Sequence, residues 1–147
     1  MTLWIFDTDH LSLLERGNLP IQRRLQPIMA SSVAITIVTA EEKVKGRLAT
    51  INGLSGMERI DRLAVAYRTF QTTLDDLKNF PILPFLDTAC DRYRELLQQK
   101  IRVGSHDLRI AAITLSVDGI LINGILITRN RRDFERVPGL KFEDWSI

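Results

Sequence analysis

Features that mark several protein classes are scarce or missing in this sequence of 147 residues. Its single cysteine, Cys90, excludes a disulfide within the chain and gives no sign of an oxidising compartment. The net charge of +2 is too small to indicate nucleic-acid binding by itself. Neither GxGxxG nor GxxxxGK[ST] occurs, so the sequence gives no support for a nucleotide-binding fold.

Long uninterrupted hydrophobic runs are also missing. The N-terminal apolar run stops at Asp7, far short of the core of a secretory signal. Residues 110–127 are the most apolar stretch, but Asp118, Asn123 and two glycines interrupt them. A spanning helix needs about 20 mostly apolar residues, so we interpret this stretch as a buried helix followed by a buried strand. We expect a cytoplasmic protein.

The residues that are present favour one α/β domain over residues 1–147. Apolar residues make up 45% and charged residues 26% of the chain, the profile of an ordinary globular protein. Short apolar or β-branched runs predict strands at residues 3–6, 33–38 and 82–85, a fourth ending at Thr128, and a last one at 141–145. The run near residue 82 is bracketed by prolines, which favours a sheet edge.

Helical patterns separate these strands. Apolar spacing of three and four residues predicts a long amphipathic helix over residues 57–77, and shorter helices around residues 11–14, 20–28, 89–101 and 105–115. Residues 39–42 (TAEE) fit a capping box that would begin another helix, and Ser105 would cap the helix that follows it. Strands alternating with helices predict a central parallel sheet covered by helices on both faces.

Acidic residues lie where this topology would form a crevice. Asp7 ends the first strand, Glu42 follows the second, and Asp107 begins the helix before the fourth. Asn130 and Asp133 follow the fourth strand. Ligands of open α/β sheets bind beyond the carboxyl ends of the strands. Because clustered carboxylates repel one another, a bound Mg²⁺ or Mn²⁺ would stabilise them there.

Each acid also has a simpler interpretation. Glu42 would complete the capping box, while Asp107 and Asp133 would interact favourably with helix N-termini. Asp7 would then be a turn residue and Asp9 a helix N-cap. Only convergence of these side chains on one crevice favours the metal site.

Four segments of the sequence resemble the VapC family of PIN-domain ribonuclease toxins. Residues 5–12 (IFDTDHLS) resemble the family's opening motif, and residues 39–46 (TAEEKVKG) its second motif. Residues 104–112 (GSHDLRIAA) are similar to the third, and residues 128–134 (TRNRRDF) with 137–140 and 143–145 to the C-terminal signature. The four segments occur in the family's order and are distributed along nearly the whole chain, from residue 5 to residue 145.

This resemblance implies a PIN-like α/β fold and a Mg²⁺- or Mn²⁺-dependent endoribonuclease. It also implies a toxin that is neutralised by a VapB-type antitoxin and that forms a homodimer. By position, Asp7, Glu42 and Asp107 match the family's acidic metal site. The fourth acidic position is held by Asn130, where many relatives have Asp, or by the nearby Asp133. A catalytically silent module that only binds antitoxin is the alternative.

Basic residues near the predicted site are candidates for RNA binding. Arg109, Arg129, Arg131 and Arg132 lie close to the proposed crevice in sequence, and Lys43 follows Glu42. Contacts of this kind with phosphates would position RNA without selecting a sequence. The alternative is an ordinary solvated charged face. His10 and His106 each lie near an acid, but capping or solvent exposure accounts for them as well as proton transfer does.

One departure from the family pattern is a tandem duplication. Residues 119–123 (GILIN) and 124–128 (GILIT) differ only in their last residue. The second copy leads into residues 128–134, so we expect it to form the strand. The first copy would then bulge out or exchange with a partner molecule.

Overall fold

Five short strands form a single parallel sheet in the computed structural model, which describes all 147 residues. The strands are β1 (Thr2–Phe6), β2 (Val33–Thr36), β3 (Ile82–Leu83), β4 (Asn123–Ile127) and β5 (Phe142–Glu143). Their order across the sheet is β3-β2-β1-β4-β5, and every neighbouring pair is parallel. The two-residue strands β3 and β5 therefore lie at the edges, as predicted for β3.

Seven helices connect and cover these strands. They are α1 (Thr8–Glu15), α2 (Leu19–Leu25), α3 (Ile37–Asn52), α4 (Ile60–Leu77), α5 (Asp87–Gln98), α6 (Ser105–Val117) and α7 (Arg131–Phe134). Two short 3-10 segments occupy Ala30–Ser32 and Met57–Arg59. None of the helices combines the length and the hydrophobicity that a membrane span requires.

The core lies on both faces of the sheet, because successive side chains of a strand point in opposite directions. In β1, Leu3 and Ile5 pack in one buried cluster with residues of α5 and α6. Phe6 lies in a second cluster, which includes Leu11 of α1 and Trp145 near the C-terminus. A parallel sheet with helices on both faces confirms the predicted α/β class.

The boundary between β2 and α3 differs from the prediction. The strand ends at Thr36, and the β-branched residues that follow it already belong to the helix. Thr36 is the N-cap, since its hydroxyl accepts a hydrogen bond of 3.2 Å from the Thr39 backbone N–H. The predicted capping box was therefore wrong: Glu42 lies beyond the first helical turn and is free for another role.

Two further helix starts need correction. Residues 57–59 form a 3-10 turn after Gly56, whose φ of 95° is favourable for glycine, and the long helix begins only at Ile60. Ser105 is the first residue of α6, not its cap; Gly104 occupies that position without a side-chain hydrogen bond.

The structure separates the two copies of the duplication. The second copy supplies most of β4, whereas Ile120 and Leu121 of the first lie in an exposed loop. The ends of this loop meet, because the Gly124 backbone N–H donates a 3.0 Å hydrogen bond to Asp118 Oδ1. A Cβ placed on Gly124 would lie 3.5 Å from the Asp118 Cα. Apart from Asn123, which begins β4, the first copy thus forms a closed loop outside the sheet.

Deleting residues 119–123 should leave the melting temperature within about 3 °C of wild type, a change of roughly 1 kcal/mol or less. The gap between Asp118 and Gly124 is nearly closed already, and none of the deleted residues is fully buried, although Ile122 packs partly against the core. Deleting residues 124–128 is a matched control, because the two shortened chains differ only in the residue before Arg129. That residue is Thr128 in the first variant and Asn123 in the second. That variant should be less stable, because the Thr128 side chain is buried and its Oγ1 accepts from the Asn130 N–H. A large loss in the first variant would instead place the first copy in the sheet.

Candidate active site

A polar cavity of about 710 Å³ opens at the carboxyl ends of the strands. No hydrophobic residue lines it. Its lining residues are Asp7, Thr8, Asp9, Ser12, Glu42, Asp107, Arg129 and Asn130. The structure therefore brings together the three acids that the sequence analysis selected, from the end of β1, from α3 and from α6.

Hydrogen bonds to β4 and to α1 fix the position of Asp7. Its backbone N–H donates to the Ile127 carbonyl at 3.1 Å, which extends the pairing of β1 and β4 by one residue. Its Oδ1 caps α1 by accepting from the His10 backbone N–H at 2.8 Å. The side chain is 8% exposed. Capping occupies one carboxylate oxygen, so Oδ2 remains available to a ligand in the cavity.

Glu42 is held by a residue that the sequence analysis did not select. The Thr8 hydroxyl donates to Glu42 Oε1 at 2.7 Å, and it lies 3.1 Å from the Thr39 hydroxyl. This pair of contacts joins the first turn of α1 to α3 across more than thirty residues of sequence. The position of Thr8 directly after Asp7 was the one available signal of its role.

Burial and neighbouring carboxylates change the pKa of Asp107. The pKa of its carboxyl is raised from 3.8 to about 6, chiefly by burial and then by the charges of Asp7, Glu42 and Asp133, while the charge of His106 acts in the opposite direction. Carboxylates must lie near one another for such repulsion to act. The cavity thus concentrates negative charge that only a cation or a proton can relieve.

The two candidates for the fourth acidic position, Asn130 and Asp133, contact each other. Asn130 lines the cavity, and its Nδ2 donates to Asp133 Oδ2 at 3.0 Å. Asp133 is not among the lining residues, although its charge contributes to the raised pKa of Asp107. The structure therefore places the amide at the cavity wall and the carboxylate behind it.

An ion pair crosses the mouth of the cavity. Arg129 binds Asp9 through both carboxylate oxygens, at 2.5 Å from Nε and 3.3 Å from Nη2. Both side chains are about half exposed, so the pair is accessible to competing anions. It also neutralises the negative charge that Asp9 would otherwise add near the site.

The other predicted RNA-binding residues are more dispersed. Arg109 lies over the Tyr93 ring and faces a different pocket, while Arg131 lies over the Phe142 ring. Arg132 is exposed on α7. Lys43 is buried against Glu15, with 2.6 Å between Nζ and Oε2, and is therefore not positioned to meet RNA. Of the four arginines, only Arg129 lines the cavity.

The donor set of the cavity suits a hard divalent cation. Its candidate ligands are carboxylate, hydroxyl and amide oxygens, the atoms that Mg²⁺ and Mn²⁺ prefer. No three His, Cys, Asp or Glu side chains are arranged to hold a metal ion together without movement. This arrangement fits a cation that keeps several waters and binds one or two carboxylates directly, as Mg²⁺ usually does.

Comparison with known proteins finds similarity over nearly the whole chain. It is 23% identical over 150 residues to Ribonuclease VapC1 of Haemophilus influenzae strain R2866, with 98% of each chain covered. Among solved structures, DNA-bound VapBC from Salmonella typhimurium matches with a TM-score of 0.73, 21% identity and 99% of both chains covered. VapBC-1 from nontypeable Haemophilus influenzae matches with a TM-score of 0.71, 21% identity and full coverage of both chains. The chain has the fold of the VapC toxins.

The resemblance expected from the four sequence segments is thereby confirmed. No family model matches the sequence. The similarity to VapC therefore rests on the full-length match to VapC1 and on the shared fold.

Proposed function

We propose that this chain is a Mg²⁺- or Mn²⁺-dependent endoribonuclease, the toxin of a toxin–antitoxin pair. The relatives support this proposal, since one is named a ribonuclease and the structural neighbours are toxins solved with their antitoxins. A VapB-type antitoxin is accordingly the proposed protein partner, RNA the substrate, and a homodimer the proposed assembly.

A single observation carries the proposal: Asp7, Glu42 and Asp107 face one polar cavity at the carboxyl ends of the sheet. The raised pKa of Asp107 supports this grouping, because the charges of Asp7 and Glu42 add to the effect of burial. Simple helix capping does not account for this arrangement. Asp7 caps α1 with one oxygen and Asp107 lies in the first turn of α6, as that alternative expects, but Glu42 lies at neither a cap nor a first turn.

Asp7 and Asp107 are the proposed direct ligands, and Glu42 binds a metal-bound water or a second ion. A bound Mg²⁺ or Mn²⁺ would lower the pKa of a water and offset charge on the scissile phosphate. Thr8 holds Glu42 in orientation through its 2.7 Å hydrogen bond. Asn130 lines the cavity and Asp133 lies behind it, and the hydrogen bond between them fixes both side chains.

Arg129 is the residue best placed to contact an RNA phosphate. It lines the cavity and is half exposed, and its guanidinium already makes a two-pronged contact with a carboxylate. A phosphate offers the same bidentate geometry, so RNA can replace Asp9 as its partner. Such a contact positions the backbone and does not read bases.

The test is cleavage of defined RNAs by the purified chain with Mg²⁺, Mn²⁺ or EDTA, beside Asp7→Asn. Cleavage that needs the cation and disappears in Asp7→Asn is the expected result. Equal cleavage by both proteins would contradict the proposal, since it would come from another site or from a contaminant. No cleavage by either, with antitoxin binding intact, would favour the silent binding module instead.

Thr8→Val should reduce the cleavage rate about 10-fold with little change in melting temperature. Valine has nearly the same shape as threonine but cannot donate to Glu42 Oε1, so the carboxylate loses its orientation. Thr8→Ser keeps the hydroxyl and serves as the control, with activity close to wild type. Equal rates for the valine and serine variants would show that the hydrogen bond has no role in the reaction.

A further inference from the structure

His10 lies beneath the cavity with no exposed surface. Its Nε2 accepts a 3.2 Å hydrogen bond from the backbone N–H of Trp145, near the C-terminus. Its Nδ1 is buried without a hydrogen-bond partner, 3.7 Å from Asp7 Oδ1. The imidazole therefore stands between the C-terminal segment and a carboxylate of the proposed metal site.

The contact with Trp145 determines which ring nitrogen carries the proton. Because Nε2 accepts a hydrogen bond, it holds a lone pair, and a neutral imidazole then has its hydrogen on Nδ1. Asp144 Oδ1 lies 3.5 Å from Nε2, but it already accepts from the backbone N–H and the hydroxyl of Ser146. Nδ1–H thus faces Asp7.

The ring has little freedom to turn away. Phe6 meets it edge-on, with centroids 6.0 Å apart and an angle of 85° between the rings. A buried donor that stays without a partner destabilises the folded state. Closure of the gap to Asp7 by less than 1 Å would satisfy Nδ1–H at ordinary hydrogen-bond length.

We propose that His10 is a positioning residue: its Nδ1–H holds Asp7 Oδ1 and directs Oδ2 to the bound cation, with Trp145 setting the tautomer. This inference rests on the proposed function, since it assumes that Asp7 binds the metal. Ring N–H groups that orient a ligating carboxylate change metal affinity when they are removed. The C-terminal segment thereby becomes part of the site without touching the metal.

Two substitutions of His10 distinguish the hydrogen bond made by Nε2 from the one proposed for Nδ1. His10→Gln extends an amide to about the position of Nε2, so it can still accept from Trp145 but has no donor at Nδ1. His10→Asn places its amide near Nδ1, where it can donate to Asp7 but does not reach Trp145. His10→Gln should weaken Mn²⁺ binding about 10-fold, measured by titration calorimetry on the full chain, and saturating Mn²⁺ should restore its RNA cleavage rate. His10→Asn should bind Mn²⁺ more tightly than His10→Gln even if it melts at a lower temperature.

The tautomer is a second measurement that does not depend on variants. In nitrogen NMR of the metal-free wild type, His10 should carry its proton on Nδ1, and an Nε2–H ring would overturn the proposal. Unchanged Mn²⁺ affinity in His10→Gln would overturn it as well, while leaving the proposed function intact. A wild type that binds no Mn²⁺ would overturn both the proposed function and this role of His10.

Discussion

Asp107→Asn should lower the rate of RNA cleavage at least about 100-fold, a loss of roughly 2.7 kcal/mol of transition-state stabilisation. In the absence of divalent cations, the same substitution should raise the melting temperature. The two effects have one origin. Asp107 faces Asp7 and Glu42 across the cavity, and its negative charge is useful only when a cation is present to offset it.

The direction of the stability effect follows from the pKa of Asp107. The carboxyl has a pKa of about 6 in the folded chain and near 3.8 when unfolded, so between these values the folded state binds more protons. The free energy of unfolding of the metal-free protein therefore falls as pH rises from about 4 to 6. Asparagine carries no charge and removes this loss. The advantage of Asp107→Asn should be absent near pH 4 and complete above pH 6.

Melting curves in EDTA at pH 4.5, 6 and 7.5 would measure this effect. Adding Mn²⁺ should stabilise the wild type more than the variant and so reduce or reverse the difference at pH 7.5. Asp91→Asn is a suitable control, because Asp91 is an exposed carboxylate paired only with Arg94 on the same helix. An Asp107→Asn protein that is less stable than wild type at pH 7.5 in EDTA would contradict the electrostatic account.

The convergence of the acids could be predicted because it follows from topology. Asp7 and residues 128–130 follow strands that pair with each other, so parallel pairing alone places them at one edge of the sheet. Helices that start at the same edge bring Glu42 and Asp107 toward them. Local pattern was enough here, since each acid lies within a few residues of a strand end or helix start.

The side-chain partners within the site could not be predicted in the same way. Thr8 with Glu42, Asp9 with Arg129, and His10 with Trp145 are separated by 34, 120 and 135 residues. Nothing local selects such partners, because they depend on the exact orientation of packed elements. The end of β2 was wrong for a local reason: a β-branched run fits a strand, but the Thr36 cap begins a helix inside it.

Trp145→Ala should lower the free energy of unfolding by about 3 kcal/mol or more, the usual cost of removing a buried tryptophan side chain. Trp145 is only 3% exposed, although only two residues follow it in the sequence. The centroid of its ring lies 5.6 Å from that of Phe6 and 6.0 Å from that of Trp4, and the Arg24 guanidinium lies over the ring. Its indole N–H donates to Glu143 Oε2 at 2.8 Å.

Urea unfolding at equilibrium would measure this loss, with Trp145→Phe as the control that keeps an aromatic ring and loses less stability. The alanine variant retains the backbone N–H that His10 accepts, so it also tests how the C-terminal segment is held. If the packing of the indole holds that N–H against His10, loss of the indole should let the N–H move away. Mn²⁺ affinity should then fall in Trp145→Ala and recover in Trp145→Phe. A loss of stability below about 1 kcal/mol would show instead that the tryptophan does not anchor the segment after β5. Trp145 would then not hold its backbone N–H against His10, and the proposed effect on Asp7 would lose its support.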